Sequence, residues 1–343
     1  MVTEYFSATK RINTLKSEIE AANTGEVESD LASLEAELNR LQEPKMALED
    51  TVGRIIEKQI TETLTQHGIF NPIDKYIRLK VNFPPVYFKL EKPPHLLLVS
   101  PRDRIENIRT ITLRQNIRLE EIQDIKSKVD KLGVSSLVVK LGGFATYPSF
   151  ITNDAGLRFT IDTATEEWLH QYLALKPLGF LYVLDLTGLS RNYEIATMNE
   201  TLASMVSQEI GSIVYEKYYS EYESSANQNQ AQESEFDFNR EMREIRKLVD
   251  IYLAQGEIER AEGFMEQKRQ YLTSKGYYIR KLNQAYFAFY GTYADRPTAI
   301  SPIGLELKKL RGQSASLKYF LNTVAAMSSH HDLTASLNET QQK

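Results

Sequence analysis

The sequence predicts an α+β protein: a small β-sheet early in the chain, a mostly helical body after it, and a helical hairpin at the N-terminus. Three observations lead there. Apolar residues recur at 3,4 spacing in Ile12, Leu15 and Ile19 and again in Leu31, Leu34, Leu38 and Leu41, with Asn23-Thr24-Gly25 between the two runs. From Asn71 to Ser100 the pattern changes to alternation and short apolar runs with proline entries, and one more such run, Val134–Leu141, ends at Gly142-Gly143. Beyond Asp162 long amphipathic stretches return and continue almost to the end.

In chain order, residues 1–43 read as a helical hairpin or short coiled-coil segment, because each run spans only about two heptads. Pro44 is expected to close it, and Leu48 to Gln66 to form a separate amphipathic helix ending at His67-Gly68. Strands are expected at Tyr76–Val81, Pro84–Leu90, Pro93–Ser100 and Val134–Leu141, with a helix over Leu119–Leu132. Leu157 to Ile161 alternates as a strand would, and a helix follows from Asp162 or Thr163 to Lys176-Pro177-Leu178-Gly179. Leu181–Leu186 is a further short apolar run, and Glu194–Tyr219 a second long helix. The polar stretch 224–235 reads as a mobile loop in a domain covering 44–325. Helices are expected at Phe236–Leu253, Glu257–Thr273, Tyr277–Tyr290 and Leu305–Met327, with 326–343 a disordered tail in which His330-His331 fray.

Composition narrows the function. A net charge of −5 and an even spread of basic residues argue against nucleic acid as a partner. There is no cysteine, which excludes disulfides, thiolate metal sites and cysteine nucleophiles. No run of apolar residues is long enough to predict a membrane span, and the first residues lack a signal-peptide pattern. A cytoplasmic location is the default expectation, with membrane anchoring from outside this sequence still open. There is no phosphate loop, nucleophile elbow or dinucleotide fingerprint.

The chemistry is carried by Glu166-Glu167-Trp168-Leu169-His170. Residues four apart on a helix lie about 40° apart on one face, so Glu166 and His170 can approach one metal ion. Glu167 is rotated about 100° from Glu166 and can face a water instead. The pattern differs by one letter from H-E-x-x-H, in which two histidines hold zinc and the glutamate acts as general base. Two adjacent glutamates and a histidine also occur by accident on exposed helices; here the flanking Trp168, Leu169 and Leu173 point to a buried helix.

With Asn199-Glu200-Thr201 and Ala203 downstream, the sequence resembles the gluzincin class of zinc metallopeptidases. More narrowly, it is similar to a bacterial family with a His-Glu-Trp-x-His helix, a Pro-Leu-Gly turn and an Asn-Glu-Thr helix. The matching residues include Pro177-Leu178-Gly179, Glu209-Ile210-Gly211, Ser100-Pro101-Arg102-Asp103, Gly142-Gly143 and Asn283–Pro297, across residues 50–325. The resemblance implies a metallopeptidase-like fold acting on a peptide or protein substrate, with His170 and Glu200 as metal ligands and Glu167 as general base. Glu166 stands where the first histidine belongs. A Glu166-His170-Glu200 set is harder than His-His-Glu and shifts preference from Zn2+ towards metals such as Mn2+.

Tyr290 and Tyr293 are the candidates for stabilising an oxyanion, although an aromatic-rich helix is more often core. Gly142-Gly143-Phe144-Ala145 reads either as a tight turn or as a strand edge that an extended peptide could pair with. Two function classes follow. One is a metal-dependent peptidase; the other is an inactive pseudopeptidase that docks or self-associates through residues 1–43.

Overall fold

The computed structural model describes residues 1–23, 30–73, 80–226, 236–296 and 298–341. These residues form twelve helices and two three-stranded sheets, an α+β architecture in which helix predominates. The chain divides into two compact units, Met1–Pro93 with Gly142–Tyr172 and Ser207–Ala231, and Pro94–Leu141 with Leu173–Val206 and Gln232–Lys343.

The first unit begins with the hairpin of α1 (Val2–Asn23) and α2 (Leu31–Gln66). Tyr5, Ile12 and Leu15 of α1 are buried together with Val52, Ile56, Ile60 and Leu64 of α2. Pro44 does not close the element; it lies inside α2. A mid-helix proline removes one backbone donor, yet the helix runs through it from Leu31 to Gln66. Lys45 is buried, with Nζ 4.6 Å from the Tyr5 ring centroid and 3.3 Å from Glu49 Oε1. The sheet of this unit has the order β1-β6-β5, from β1 (Phe88–Leu90), β5 (Gly143–Phe144) and β6 (Ser149–Ile151). β1 runs parallel to β6, β5 is antiparallel to it, and β5 is an edge strand. Leu157–Ile161, expected as a strand, is instead the start of α4 (Leu157–Leu173). The alternation there misled because Phe159, the middle apolar residue of the run, is 46% exposed, whereas Leu157 and Ile161 lie on the buried side of the helix.

The second unit is organised on β2 (His95–Pro101), flanked by β3 (Arg109–Leu113) and β4 (Val134–Lys140), all antiparallel. Period-two alternation separates its faces. Leu97, Val99 and Val138 pack on Ile122 of α3 (Leu119–Asp130), while Leu98, Leu137 and Val139 pack on Ala285 of α9 (Gln284–Tyr290). β3 was not expected: its residues are mostly exposed, so it carries no buried alternation. The run at Leu181–Leu186 belongs to a helix, α5 (Pro177–Leu186), with Pro177 at its first turn. The hairpin of α7 (Phe238–Ala254) and α8 (Ile258–Ser274) closes over Met242, Ile245, Val249, Met265 and Leu272.

Three boundaries near the C-terminus need correction. The helix expected from Tyr277 starts only at Gln284, where the Asn283 side chain caps it by accepting from Tyr286 N at 2.9 Å. The single helix expected over 305–327 is two, α10 (Ile303–Gln313) and α11 (Leu317–Ala325), the second capped by Ser316. The expected disordered tail forms α12 (His330–Gln341), with Leu333 and Leu337 buried. His330 does not fray: Nε2 lies 2.5 Å from Glu306 and Nδ1 3.3 Å from Glu194. Of the expected mobile loop 224–235, the backbone through Ala226 is the end of helix α6 (Tyr193–Ala226), and the remainder lies outside the described residues. The break at Thr24-Gly25 and most of the strand expected at Tyr76–Val81 also lie outside them.

Candidate metal centre

The candidate site is carried by two helices, α4 and α6. α4 is held from one side by Trp168, which is 2% exposed and donates from Nε1 to the Pro84 carbonyl at 2.7 Å. Tyr172 lies against it, with ring centroids 5.3 Å apart. Gln171 reaches towards the β5–β6 hairpin, donating to Thr146 O at 2.6 Å and to Ser149 Oγ at 2.8 Å. Glu166, Glu167 and His170 are each half-buried.

α6 approaches α4 through small and polar residues. Arg158 Nη2 of α4 donates to Gln208 O at 3.0 Å and to Ser212 Oγ at 2.7 Å. Gly211 lies against Asp162 so closely that a Cβ there would fall inside contact with Oδ1 and 3.0 Å from Cγ. Burial pushes the Asp162 carboxyl up to about 6, against the opposing pull of the Arg158 guanidinium. The spacing explains what happens further along. From Arg158 to His170 is twelve residues, and from Ser212 back to Glu200 is also twelve, about 18 Å of helix each. Two antiparallel helices that meet at Arg158 and Ser212 therefore bring His170 level with Glu200.

They meet there. Glu166, His170 and Glu200 each offer one ligand atom, all within 4.8 Å of one another. Three such atoms share a common point no farther than 4.8/√3, about 2.8 Å, from each, against metal–ligand bonds of about 2.0–2.2 Å. Small side-chain rotations cover the difference, and the donor set of two carboxylates and an imidazole suits a divalent cation. The residues present fit a metal ion.

Glu167, one residue along α4 from Glu166, lies against edge strand β5. A Cβ on Gly143 would fall inside contact with Glu167 Oε1, 2.8 Å from its Cδ and 2.5 Å from Thr163 Cγ2. The Glu167 carboxylate thus abuts the backbone of edge strand β5. The Gly142-Gly143 segment is not simply a turn: Gly143 and Phe144 pair with Ile151 and Phe150.

The two tyrosines differ. Tyr290 belongs to an aromatic cluster, with its ring centroid 4.6 Å from Tyr286 and 5.0 Å from Phe289, and burial pushes its hydroxyl pKa up. That is a core role. Tyr293 sits in a segment tied to α6 next to Glu200: Ala294 N donates to Thr201 Oγ1 at 2.9 Å, and Ser204 Oγ donates to Asp295 at 2.8 Å. Its ring faces Arg296, 4.2 Å from the centroid. Sequence reasoning missed Tyr182 of α5, whose hydroxyl donates to Glu200 Oε1. The only signal was one polar hydroxyl in an otherwise apolar run, Phe180-Leu-Tyr-Val-Leu184.

No protein-family model, curated protein or solved structure matches the chain.

Proposed function

We propose that the chain is a metal-dependent, peptidase-like hydrolase with Glu166, His170 and Glu200 as metal ligands and Glu167 as general base. The observation that carries this reading is the convergence of the three ligand atoms, with Glu167 one residue along α4 and turned towards a strand edge. A divalent cation held by the three would polarise a scissile carbonyl and make a nearby water more acidic. Zn2+ or Mn2+ suits the donor set.

The chain's own residues supply the rest. An extended peptide that pairs with edge strand β5 would have its carbonyls beside α4. Glu167 accepts the proton of the attacking water as its oxygen bonds to the carbonyl carbon. As the C–N bond breaks, Glu167 returns that proton to the departing amine nitrogen. Tyr182, through Glu200, is a positioning residue. Tyr293 is the better candidate for stabilising the oxyanion, because Tyr290 is committed to the core.

The test is hydrolysis of denatured casein by the full chain loaded with Zn2+ or Mn2+, alongside Glu167→Gln. The expected result is cleavage by wild type and a loss of about 10²–10⁴-fold in the variant, which still binds the metal. Metal-loaded wild type that leaves casein intact would overturn the hydrolase reading and favour the docking role of an inactive relative.

A further inference from the structure

We propose that the second unit carries a separate binding site for a small phosphorylated polyol, formed by two adjoining hollows that share Asp130 and Lys281. The first is a cavity of about 310 Å³ between β4, α8 and residues 281–284, with Arg102, Ser135, Glu262 and Gln284 in its wall. That volume falls at the small end of ligand pockets, about 300–1,000 Å³. The second hollow is a shallow, open depression at the end of α3, lined by Lys126, Ser127 and Lys131 besides the shared pair.

The first hollow is built for hydroxyl groups. Gln284 is fully buried, and its Nε2 donates to Arg102 O at 2.7 Å and Glu262 Oε1 at 3.2 Å. Both partners accept only, so the amide cannot be reversed, and Gln284 Oε1 is left without a donor. Ser135, 6% exposed, also has its buried Oγ without a partner. An unsatisfied buried polar group costs about 1–3 kcal/mol; Gln284 Oε1 calls for a donor and the Ser135 hydroxyl can give or accept a bond, so a ligand hydroxyl suits both. The charged groups of this wall are already paired, Glu266 with Arg269 outside it at 2.7 and 2.8 Å. Arg102 holds Glu262 with two bonds of 2.8 and 2.6 Å, and Lys281 holds Asp130 at 2.8 Å. A neutral hydroxylated body fits this end without breaking either pair.

The second hollow is built for an anion. It has three lysines against one carboxylate, and that carboxylate is shared with Lys281. Lys126 is half-buried and has no ion-pair partner among the described residues. Burial, with the nearby charges of Lys281 and Arg280, lowers its pKa to about 8, and Asp130 acts in the opposite sense. A phosphate at this end would relieve the repulsion among the cations, while the hydroxyls of the same molecule reach Ser135 and Gln284. Neither hollow involves the metal ligands or Glu167.

The test is calorimetric titration of the full chain with glucose 6-phosphate, inorganic phosphate and glucose as probes. Glucose 6-phosphate is expected to bind at least tenfold more tightly than either of the others. Lys126→Gln is expected to weaken it about tenfold, and Ser135→Ala to weaken it while leaving inorganic phosphate unchanged. Phosphate beside Lys126 raises that pKa, so binding at pH 8 takes up to about half a proton, seen by comparing buffers of different ionisation heat. The uptake vanishes at pH 6 and in Lys126→Gln. Failure of glucose 6-phosphate to bind, equal affinity for inorganic phosphate, or an unaffected Lys126→Gln would each overturn the proposal.

Discussion

Replacing Gly211 by alanine tests the helix contact on which the candidate site depends. The new Cβ would collide with Asp162 Oδ1, with Cγ at 3.0 Å and the Asp162 Cα at 3.5 Å. Either α4 and α6 separate or the carboxylate turns away from Arg158, which now holds it at 2.8 and 2.9 Å. Overpacking of this kind costs about 1–3 kcal/mol. The displaced ion pair adds up to about 1 kcal/mol, kept small because the Arg158 side chain is 42% exposed. Alanine in a helix interior returns about 1 kcal/mol relative to glycine. The net expectation is a loss of about 1–3 kcal/mol. Trp168, the only tryptophan, lies buried on α4 and reports the transition by fluorescence during urea unfolding. In an Asp162→Ala background the obstacle is gone, and Gly211→Ala should become neutral or stabilising by up to about 1 kcal/mol. A neutral or stabilising effect in the wild-type background, or additivity within about 0.5 kcal/mol, would refute the close approach.

Other perturbations read different links. Trp168→Phe leaves the Pro84 carbonyl without its donor and is expected to cost about 1–3 kcal/mol in urea unfolding followed by circular dichroism; an unchanged midpoint would count against the contact. The Asp162 carboxyl, pushed up to about 6, ionises in the unfolded chain near ~3.9, so between those values the folded state binds more protons. Stability therefore falls as pH rises from about 4 to 6, and Asp162→Asn should remove that slope; parallel unfolding profiles at pH 4 to 7 would contradict it. Tyr182→Phe removes the hydroxyl that holds Glu200 and is expected to weaken metal binding about 10–100-fold without unfolding the chain. An unchanged metal affinity would show that Tyr182 does not position the ligand.

Much of this arrangement could be read from residue order, and the parts that could not have physical reasons. β2 and β4 were legible as short apolar runs because both faces of each are buried, one on α3 and the other on α9, and α3 was legible because its one buried face shows the helical period directly. α4 breaks the pattern at Phe159, an apolar residue that lies exposed on the side opposite Leu157 and Ile161. Its threonines also look strand-like, yet Thr160 and Thr165 donate back to Gly156 O and Ile161 O within the helix. Pro44 was read as a breaker because local rules cannot see Tyr5 and Glu49 gathering around Lys45. Within the site, Glu166 and His170 were legible because i,i+4 spacing is local. Glu200 rested on resemblance alone, and the equal twelve-residue steps along α4 and α6 supply its geometric reason. Tyr182 and the seat of Glu167 on Gly143 were invisible, because both are contacts between segments far apart in the chain.

In the proposed site Glu166, His170 and Glu200 hold one metal ion together. Equilibrium titration of the chelator-stripped full chain with Zn2+ and Mn2+ tests it most directly, alongside His170→Ala, Glu166→Gln and Glu200→Gln. Wild type is expected to bind one ion per chain, and each variant to bind at least tenfold more weakly with the fold retained by circular dichroism. No saturable binding by wild type, or binding that all three substitutions leave unchanged, would contradict it.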